Sequence, residues 1–396
     1  MTKNSWLCNL IAGKKISVLP DLSENYDWHQ VCEQLSIKVK EDGDLAIFNY
    51  DIGADFYNSI VQEARGIIIN TKKCDVVCWP FRKFANSHEP YADKINWDRA
   101  VVQEKIDGSI IKLFYNKIAK QWQIASNSCI NADDAVLTSG YSVGELVRST
   151  AEYENFMELV QHDMVNKNHT YIFELVSPKN QIVIKYDKTM LYLLGVRSNL
   201  DGQEYDPVEY FNVSVYEPVP AIGCFPSPRV YCVNTLEGCK KAAEQLNKGD
   251  YPDLEGFVVV DNFWRRIKVK SPQYLMYHHI VNNGMITKER AWDVLTSDDF
   301  NMSEFVKMAS EDNVKILEYY QKEFAKAKEY TVSKIKEVLD WQKAGLTRKE
   351  IALRIKDDPA SYFCFKALSL DQKPEQIIMG AGNKLIRLVK DYELKR

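Results

Sequence analysis

Lys105-Ile106-Asp107-Gly108-Ser109 is a short polar segment set between two apolar pairs, Val101-Val102 and Ile110-Ile111. A lysine amine can act as a covalent nucleophile when its surroundings keep part of it unprotonated, and this segment places a carboxylate and a flexible glycine beside it. Lysine and aspartate also flank many solvated surface turns. The segment therefore allows two interpretations, a nucleophilic lysine or an ordinary turn, and the rest of the chain has to decide between them.

The composition is that of an ordinary globular protein with room for two domains. The chain has 396 residues, of which 45% are hydrophobic and 27% are charged. No run approaches the roughly 20 apolar residues that cross a bilayer. The start lacks the basic leader and cleavage site of a secretory signal, so we expect a cytoplasmic protein without membrane contact. Nine cysteines without a Cys-x-x-Cys pair indicate reduced thiols.

Charge is distributed unevenly along the chain. A net charge of -4 argues against a protein that binds nucleic acid over its whole surface. Basic residues nevertheless concentrate in Arg265-Arg266 and in Lys268 and Lys270, with Trp264 close by. Basic side chains interleaved with aromatics suit a phosphate backbone whose bases can stack, although a solvated strand face explains many such runs.

Hydrophobic patterning predicts an α+β fold. Before residue 275 we expect eight short strands, interrupted by one helix over Val143–Gln161. The predicted strands are Leu45–Tyr50, Gly66–Ile69, Val76–Trp79, Ile110–Tyr115, Tyr171–Val176, Ile182–Tyr186, Leu191–Val196 and Phe257–Val260. Two regions follow from the change of pattern near residue 280, a first domain over residues 1–278 and a small all-helical domain over residues 279–396.

The helical prediction rests on spacing. From Leu317 to Val338 apolar residues recur every three or four positions, which is the stripe of an amphipathic helix. Thr347 with Glu350 makes a capping box for the next helix. Apolar residues at 377–379 and 385–389 predict one further helix near the end of the sequence.

Lys268 and Lys270 lie in a predicted hairpin arm after Asp261-Asn262. Side chains alternate along a strand, so the two lysines share one face while Ile267 and Val269 take the other. Two lysines on one face repel each other unless an anion lies between them, and a phosphate is the natural candidate. A solvent-facing strand with alternating charges is the alternative.

One carboxylate interrupts another apolar strand. Glu174 lies within Tyr171–Val176, and a charge in such a run either reaches the exposed face or is held by a cation. Upstream, Glu63-Ala64-Arg65-Gly66 leads into an apolar run, and Phe81-Arg82-Lys83-Phe84 follows another. Each of these segments alone is weak support for a site.

Taken in order, these segments resemble the covalent nucleotidyltransferases, and specifically the RNA ligases similar to bacteriophage T4 RNA ligase 1. The resemblance covers most of residues 45–275. The segments that look like motifs I, III, IIIa, IV and V of that superfamily are Lys105 to Ser109, Phe173-Glu174, Leu193 to Val196, Glu255-Gly256 and Lys268 to Lys270. Features that resemble the T4 subfamily are Arg65-Gly66, Lys83-Phe84 with Asn86, Phe173 to Pro178 with Asn180, and Lys270-Ser271 with Tyr274.

The resemblance implies a fold and a reaction. The first domain would be a nucleotidyltransferase, that is, an ATP-grasp-like ligase domain of antiparallel sheets with flanking helices, and the helical tail would replace the OB-fold of other relatives. Lys105 would attack the α-phosphate of ATP and form a lysyl-AMP. The AMP would pass to an RNA 5′-phosphate, and an RNA 3′-hydroxyl would then displace it. Such displacements at phosphorus depend mainly on alignment and on cations.

The resemblance also assigns roles to named residues. Lys268 and Lys270 match lysines that hold the α-phosphate, and their positive field would lower the pKa of Lys105. The resemblance implies that Tyr274 is important for activity. It implies that Mg²⁺, which Mn²⁺ can replace, is bound by Glu174, Glu255 and Asp298. The residues that it implies as nucleotide contacts are Tyr50, Arg65, Lys83 and Glu104.

One departure and two alternatives qualify the resemblance. Asn127 in Ser126-Asn127-Ser128 stands where the family pattern has a lysine, so one phosphate or RNA contact is missing or replaced. The alternatives are the ligase domain of a fungal-type tRNA splicing enzyme, which needs 2′-phosphate ends, and a catalytically inactive RNA-binding relative. The resemblance implies a monomer of viral or phage type, acting in a host cytoplasm on RNA such as nicked tRNA, after a polynucleotide kinase/phosphatase.

Overall fold

The computed structural model describes residues 5–392 except for positions 21, 23–24, 213–224, 249–252, 282–285, 298–299, 301, 310, 370–372 and 380. The chain forms two compact units, Met1–Tyr274 and Leu275–Arg396. The predicted domain boundary at residue 278 falls inside the helix Pro272–Val281.

The strands in the described part of the chain belong to the first unit. They are β1 Ile37–Asp42, β2 Leu45–Tyr50, β3 Arg65–Asn70, β4 Asp75–Cys78, β5 Ala85–Asn86, β6 Val101–Glu104, β7 Ser109–Asn116, β8 Gln121–Ser126, β9 His169–Val176, β10 Met190–Ser198, β11 Glu204–Tyr205, β12 Val230–Tyr231, β13 Gly256–Val260 and β14 Arg266–Lys270. In the described residues they make three sheets, with the orders β1-β2-β3-β4, β11-β10-β9-β7-β8 and β12-β6-β13-β14-β5.

Helices flank the sheets and make up the second unit. They are α1 Trp6–Ile11, α2 Trp28–Gln34, α3 Ser59–Glu63, α4 Val143–Arg148, α5 Ala151–Gln161, α6 Pro207–Asn212, α7 Leu236–Gln245, α8 Pro272–Val281, α9 Lys288–Leu295, α10 Met302–Met308, α11 Glu311–Lys343, α12 Arg348–Ile355, α13 Ser361–Ala367, α14 Pro374–Met379 and α15 Gly382–Ile386. Among the described strands, pairing is antiparallel except between β14 and β5. The predicted α+β class with antiparallel sheets and a helical tail is confirmed.

The central strand β9 shows why the sequence forms the second sheet. Its run is nearly continuous in apolar residues, and all eight of its side chains are buried. Helices α4 and α5 cover this sheet, where Phe156 lies edge-on to Trp122 and Tyr171 with ring centroids 5.1 Å away from each. Burying one such aromatic side chain contributes about 1.5–3 kcal/mol. The sheet is therefore a rigid support for the residues at its edge.

The first unit also contains helices that the sequence pattern did not predict, namely α1, α2, α3, α6 and α7, and two local predictions in it are wrong. Residues 182–186 form no strand, because Asp107 Oδ2 accepts hydrogen bonds from the backbone N–H groups of Val183 at 2.9 Å and Ile184 at 2.8 Å. The helix predicted over 143–161 is two helices, α4 and α5, since the Thr150 hydroxyl caps the second one by accepting from the Tyr153 N–H. In both places a side chain competes with regular backbone hydrogen bonding.

The second unit is built around the long helix α11. Six residues of its predicted apolar stripe are buried, namely Leu317, Tyr320, Phe324, Thr331, Ile335 and Val338. The capping box of Thr347 and Glu350 is confirmed. The single helix predicted near the end is instead two short ones, α14 and α15. No helix in the described part of the chain is long and apolar enough to cross a membrane.

Candidate active site

Strand register brings three of the singled-out segments together at one end of the third sheet. β6 pairs with β13 so that Phe257 lies opposite Glu104, and the Lys105 N–H donates to the Gly256 carbonyl at 2.9 Å. β13 pairs with β14 so that Gly256 lies opposite Lys270. Lys105, Glu255 and Lys270 therefore meet although they are far apart in sequence.

A buried carboxylate joins the two lysines. Glu255 is 3% exposed, and its Oε2 lies 2.6 Å from Lys105 Nζ while its Oε1 lies 2.7 Å from Lys270 Nζ. Gly256 allows this approach, because its φ is +145° and a Cβ there would lie 2.3 Å from the Val269 carbonyl oxygen. Any larger residue at position 256 would displace the backbone that holds this ion-pair network.

Residues 105–109 connect β6 of the third sheet to β7 of the second sheet. This connection brings Glu174, which lies in the second sheet, into the site. In β9, Glu174 lies opposite Ile110 of β7. Gly108 is again required by space, because a Cβ there would lie 2.3 Å from the Leu175 carbonyl oxygen. Burial raises the pKa of Glu174 to about 7, although Lys105 opposes that shift. Glu174 is thus a carboxyl group poised between its two protonation states near neutral pH.

The prediction that neighbouring cations lower the pKa of Lys105 is wrong for this arrangement. Burial does lower it, but the carboxylates of Glu255 and Glu174 outweigh burial and raise the pKa above its ordinary value. The like charges act on Lys268 instead. Burial, then Arg65 and Lys105, lower the pKa of Lys268 to about 7. The lysine whose pKa is lowered is therefore Lys268, a neighbour of the expected nucleophile, and not Lys105 itself.

Aromatic rings support the remaining cations of the site. The guanidinium of Arg65 and the ammonium of Lys268 lie 5.1 Å and 5.3 Å from the ring centroid of Phe84. Lys83 Nζ lies 4.1 Å from the ring centroid of Phe56 and 5.3 Å from that of Tyr50. Burial lowers the pKa of both Arg65 and Lys83. Partly dehydrated cations in such a group attract an anion strongly.

Tyr274 holds the turn that carries Lys105. The buried Tyr274 hydroxyl donates to Asp107 Oδ1 at 2.6 Å, and Lys270 Nζ lies 5.3 Å from the Tyr274 ring centroid. The other oxygen of Asp107 binds the backbone N–H groups of Val183 and Ile184. Because Tyr274 contacts Asp107 rather than the Lys105 amine, we interpret it as a positioning residue.

Replacing Tyr274 with phenylalanine will lower the free energy of unfolding by about 1–3 kcal/mol, because a buried carboxylate loses one hydrogen-bond donor. Urea unfolding of the full chain measures this change. Tyr57→Phe, at a tyrosine that is 67% exposed, is the control and leaves the unfolding midpoint unchanged. Equal midpoints for Tyr274→Phe and the wild type would contradict the positioning role.

Three further residues, predicted or singled out from the sequence, are not joined to the Lys105 ion-pair network by any described contact. Glu104, a predicted nucleotide contact, has its Oε2 3.9 Å from Arg229 Nε, and burial raises its pKa. Asn127 is exposed in the loop after β8. Asp298, a predicted metal contact, lies outside the described residues. Their functional roles stay predictions.

Lys112 is a site neighbour that the sequence reasoning missed. It is fully buried in β7, and its Nζ donates to the Gly66 carbonyl at 2.6 Å, directly after Arg65. A Cβ on Gly66 would lie 2.8 Å from Lys112 Nζ and 3.2 Å from Asn127 Oδ1. Lys112 carries the same signal that singled out Glu174 in the sequence, namely one charged residue inside an apolar strand. Lys112 therefore fixes the backbone next to Arg65.

Lys112→Met will remove a pH dependence of stability. Burial lowers the pKa of Lys112 from its ordinary 10.5 to about 8. Between these values the native state holds a neutral amine while the unfolded chain binds a proton, so wild-type stability rises with pH, by about 3 kcal/mol over the whole interval. Urea unfolding at several pH values from 7.5 to 10.5 measures the rise, which Lys112→Met lacks. The exposed Lys117→Met is the control, and equal slopes in all three proteins would refute this account.

A divalent cation fits one of the predicted acidic ligands. Among the described residues no three His, Cys, Asp or Glu side chains form a metal cluster. Mg²⁺ commonly uses one or two carboxylates and takes its other ligands from substrate phosphates and water. Within the described part of the chain the Glu174 carboxylate makes no hydrogen bond, so it is available. Both oxygens of Glu255 are engaged by lysines.

Comparisons with known proteins show similarity to RNA ligases. The T4 RNA ligase 1 family model, described as RNA ligase, matches residues 63–274. The RNA ligase of Rhodothermus phage RM378 is 26% identical over 86% of this chain and 88% of its own length. A putative bifunctional polynucleotide kinase/RNA ligase of Autographa californica nuclear polyhedrosis virus is 28% identical over 63% of this chain, which spans 36% of that protein.

Among solved structures, an archaeal ATP-dependent RNA ligase has a TM-score of 0.43 at 11% identity, covering 74% of each chain. The family match contains Lys105, Glu174, Glu255 and both β14 lysines, which are the residues that converge in space. The chain belongs to the T4 RNA ligase 1 family of RNA ligases.

Proposed function

We propose that this RNA ligase uses ATP to join RNA 5′-phosphate and 3′-hydroxyl ends through a lysyl-AMP on Lys105. The observation that supports the proposal best is a group of cations around a lysine that can act as nucleophile. This cation group consists of Arg65, Lys83, Lys268 and Lys270, which surround Lys105. Lys105 Nζ is fixed by Glu255 at 2.6 Å, and the pKa of Lys268 is lowered to about 7 by burial and by four neighbouring cations. A bound phosphate would relieve this repulsion.

In the first step the neutral Lys105 amine attacks the α-phosphorus of ATP. A nitrogen–phosphorus bond forms, the bond from the α-phosphorus to the bridging oxygen breaks, and pyrophosphate leaves with the electron pair. The ammonium proton must leave before attack, and the nearest acceptor is Glu255 Oε2. Lys268, Lys270 and Arg65 would neutralise the charge that spreads over the phosphoryl oxygens.

The two later steps are also displacements at phosphorus. An oxygen of the RNA 5′-phosphate attacks the AMP phosphorus and releases Lys105, and the RNA 3′-hydroxyl then attacks the 5′-phosphorus and releases AMP. The same cations serve each step, because the reacting phosphates occupy one place in turn. We assign nucleotide contacts to Tyr50, Arg65 and Lys83, which lie in the cation and aromatic group.

Glu174 is the residue that we assign to a divalent cation, Mg²⁺ or Mn²⁺. Its buried carboxyl has a pKa of about 7, and a nearby cation would hold it in the ionised form. When bound, such an ion would neutralise part of the negative charge on the reacting phosphates. The second predicted ligand, Glu255, would have to release Lys105 or Lys270 before it could bind the ion.

The substrate and its supply are proposed from the chemistry of the ends. A ligase that needs a 5′-phosphate requires a kinase when the RNA carries a 5′-hydroxyl. The name of the relative from Autographa californica nuclear polyhedrosis virus, a putative bifunctional polynucleotide kinase/RNA ligase, is consistent with such a supply. We propose RNA repair, with nicked tRNA as one substrate, by a monomer in the cytoplasm of the host cell.

A sealing assay tests the proposed reaction. The full chain is incubated with ATP, Mg²⁺ and a 5′-phosphorylated RNA whose 3′ end is either a plain hydroxyl or carries an adjacent 2′-phosphate. We expect sealing of the plain end and release of AMP and pyrophosphate in equal amounts. Sealing only of the 2′-phosphate end would favour the fungal-type reaction, and RNA binding without AMP release would favour an inactive relative.

A further inference from the structure

Asn247 is a fully buried polar residue to which the proposed reaction gives no role. It has no exposed surface and follows α7, which packs on the β13–β14 hairpin in a shared apolar cluster. A buried amide in such surroundings costs free energy unless its polar atoms are hydrogen-bonded. Its φ is +61°, a left-handed conformation that asparagine adopts more readily than most residues with a side chain. The hydrogen-bond partners of this amide therefore indicate what it does.

The Asn247 amide binds the residue that precedes Glu255. Its Oδ1 accepts from the Leu254 N–H at 2.9 Å, and its Nδ2 donates to the Leu254 carbonyl at 2.9 Å. A neighbouring strand would make the same pair of bonds with Leu254. The Leu254 carbonyl belongs to the planar peptide unit that contains the Glu255 nitrogen. Asn247 thus fixes the backbone on the N-terminal side of Glu255.

The second amide proton of Asn247 reaches the other side of Glu255 through Ser271. Asn247 Nδ2 also donates to the Ser271 hydroxyl at 2.8 Å, and the Ser271 N–H donates to the Glu255 carbonyl at 3.0 Å. Ser271 is fully buried and directly follows Lys270. Both peptide units that flank the Glu255 Cα are therefore hydrogen-bonded in one closed network that contains Asn247.

This network holds the backbone from which the ion pairs around Lys105 are built. The Glu255 carboxylate lies 2.6 Å from the Lys105 amine and 2.7 Å from the Lys270 amine, and these distances depend on where the Glu255 Cα is held. A displacement of about 1 Å at reacting groups can lower an enzymatic rate by about 100-fold. In the described contacts the Asn247 amide binds neither lysine, so its effect on them passes through the backbone.

We propose that Asn247 is a positioning residue of the ligase site, which holds the backbone of Glu255 so that its carboxylate fixes the Lys105 amine for attack on ATP. The inference rests on the proposed function, and it adds a residue that touches none of the reacting groups. Loss of the amide would leave the cations that bind ATP in place and would slow the transfer of AMP.

Single-turnover AMP transfer by the full chain tests the proposal. Asn247→Gly removes the amide without adding backbone strain, because glycine accepts a φ of +61°. Labelling by α-labelled ATP over a range of ATP concentrations separates the maximal rate from the half-saturating concentration. The matched control is Asn116→Gly. Asn116 is also buried, its Oδ1 accepts from the Ile118 N–H at 2.9 Å, and it lies at the end of β7 away from Lys105.

We expect Asn247→Gly to lower the maximal labelling rate at least about tenfold, with less than about a twofold change in the half-saturating ATP concentration. Asn116→Gly should keep the wild-type rate. Urea unfolding gives the folded fraction of each variant, and a merely structural asparagine would change that fraction without changing the rate per folded molecule. In a Glu255→Gln background Asn247→Gly should cost no more than about threefold, because the carboxylate that it positions is already gone.

Ser271→Ala is a smaller change that decides the question if Asn247→Gly does not fold. It keeps the amide and removes one of its partners, so we expect a maximal rate lower by about threefold at an unchanged half-saturating ATP concentration. A wild-type maximal rate per folded molecule in these variants would overturn the proposal, and so would an equal loss from Asn247→Gly in the wild-type and Glu255→Gln backgrounds. Absence of labelling in the wild type would instead count against the proposed ligase reaction.

Discussion

Replacing Lys105 with arginine will reduce AMP transfer to the protein by at least about 10⁴-fold, the scale on which loss of a covalent nucleophile reduces enzymatic rates. Arginine keeps the positive charge and can still pair with Glu255, which lies 2.6 Å from the native amine. A guanidinium stays protonated at neutral pH and offers no lone pair for attack. The variant therefore separates the nucleophile from the ion pair. Labelling with α-labelled ATP, followed by gel electrophoresis, measures the transfer.

The matched control for this variant is Lys38→Arg. Lys38 also pairs with a carboxylate, Asp51 Oδ2 at 2.8 Å, but it is 65% exposed. We expect wild-type labelling of Lys38→Arg and an unfolding midpoint for Lys105→Arg close to that of the wild type. Labelling of Lys105→Arg at even a tenth of the wild-type rate would show that another residue carries the AMP.

Glu255→Gln will lower the maximal rate of AMP transfer by about 100-fold. The change removes the carboxylate that two lysines share and leaves one amide oxygen to accept from them, and losing one charge-assisted hydrogen bond costs roughly 1.5–3 kcal/mol. The same change shifts the pH dependence. Glu255 is the largest of the influences that raise the pKa of Lys105, so without it the amine loses its proton at lower pH. The rate of labelling should therefore reach its plateau at lower pH than in the wild type, although the plateau itself is lower.

Glu152→Gln is the control for Glu255→Gln. Glu152 is another buried carboxylate of the first unit, and its Oε2 accepts from the Leu191 N–H at 3.3 Å, outside the site. It should label at the wild-type rate with an unshifted pH profile. A profile for Glu255→Gln that moves to higher pH, or a plateau equal to that of the wild type, would contradict the role given to this carboxylate.

Much of the fold was predictable because it depends on local patterns. Alternating or continuous apolar runs predicted β9 and β13, and spacing predicted the buried stripe of α11. The failures at 143–161 and 182–186 share a cause, since Thr150 and Asp107 use their side chains to bind backbone N–H groups. A run of apolar residues does not reveal whether a distant carboxylate will occupy its backbone donors.

The sequence could predict which residues form the candidate site, but it could not predict how their pKa values shift. The order of short segments along the chain, through the family resemblance, selected Lys105, Glu174, Glu255 and Lys268. It did not reveal that Glu255 lies between Lys105 and Lys270, which raises rather than lowers the pKa of Lys105. Lys112 was missed because a single lysine within an apolar run does not show whether its amine is buried. Signs of pKa shifts depend on distances of a few ångströms, and these come only from the folded chain.

The proposed reaction requires the amine of Lys105 to become covalently bound to AMP. Wild-type protein is incubated with ATP and Mg²⁺ without RNA, digested, and analysed by mass spectrometry for a peptide carrying one adenylate. We expect a single adenylated peptide, the one containing residue 105, with the adduct on the lysine nitrogen and sensitive to acid, as a phosphoramidate is. An adduct on any other residue, or none in protein that still seals RNA, would contradict it.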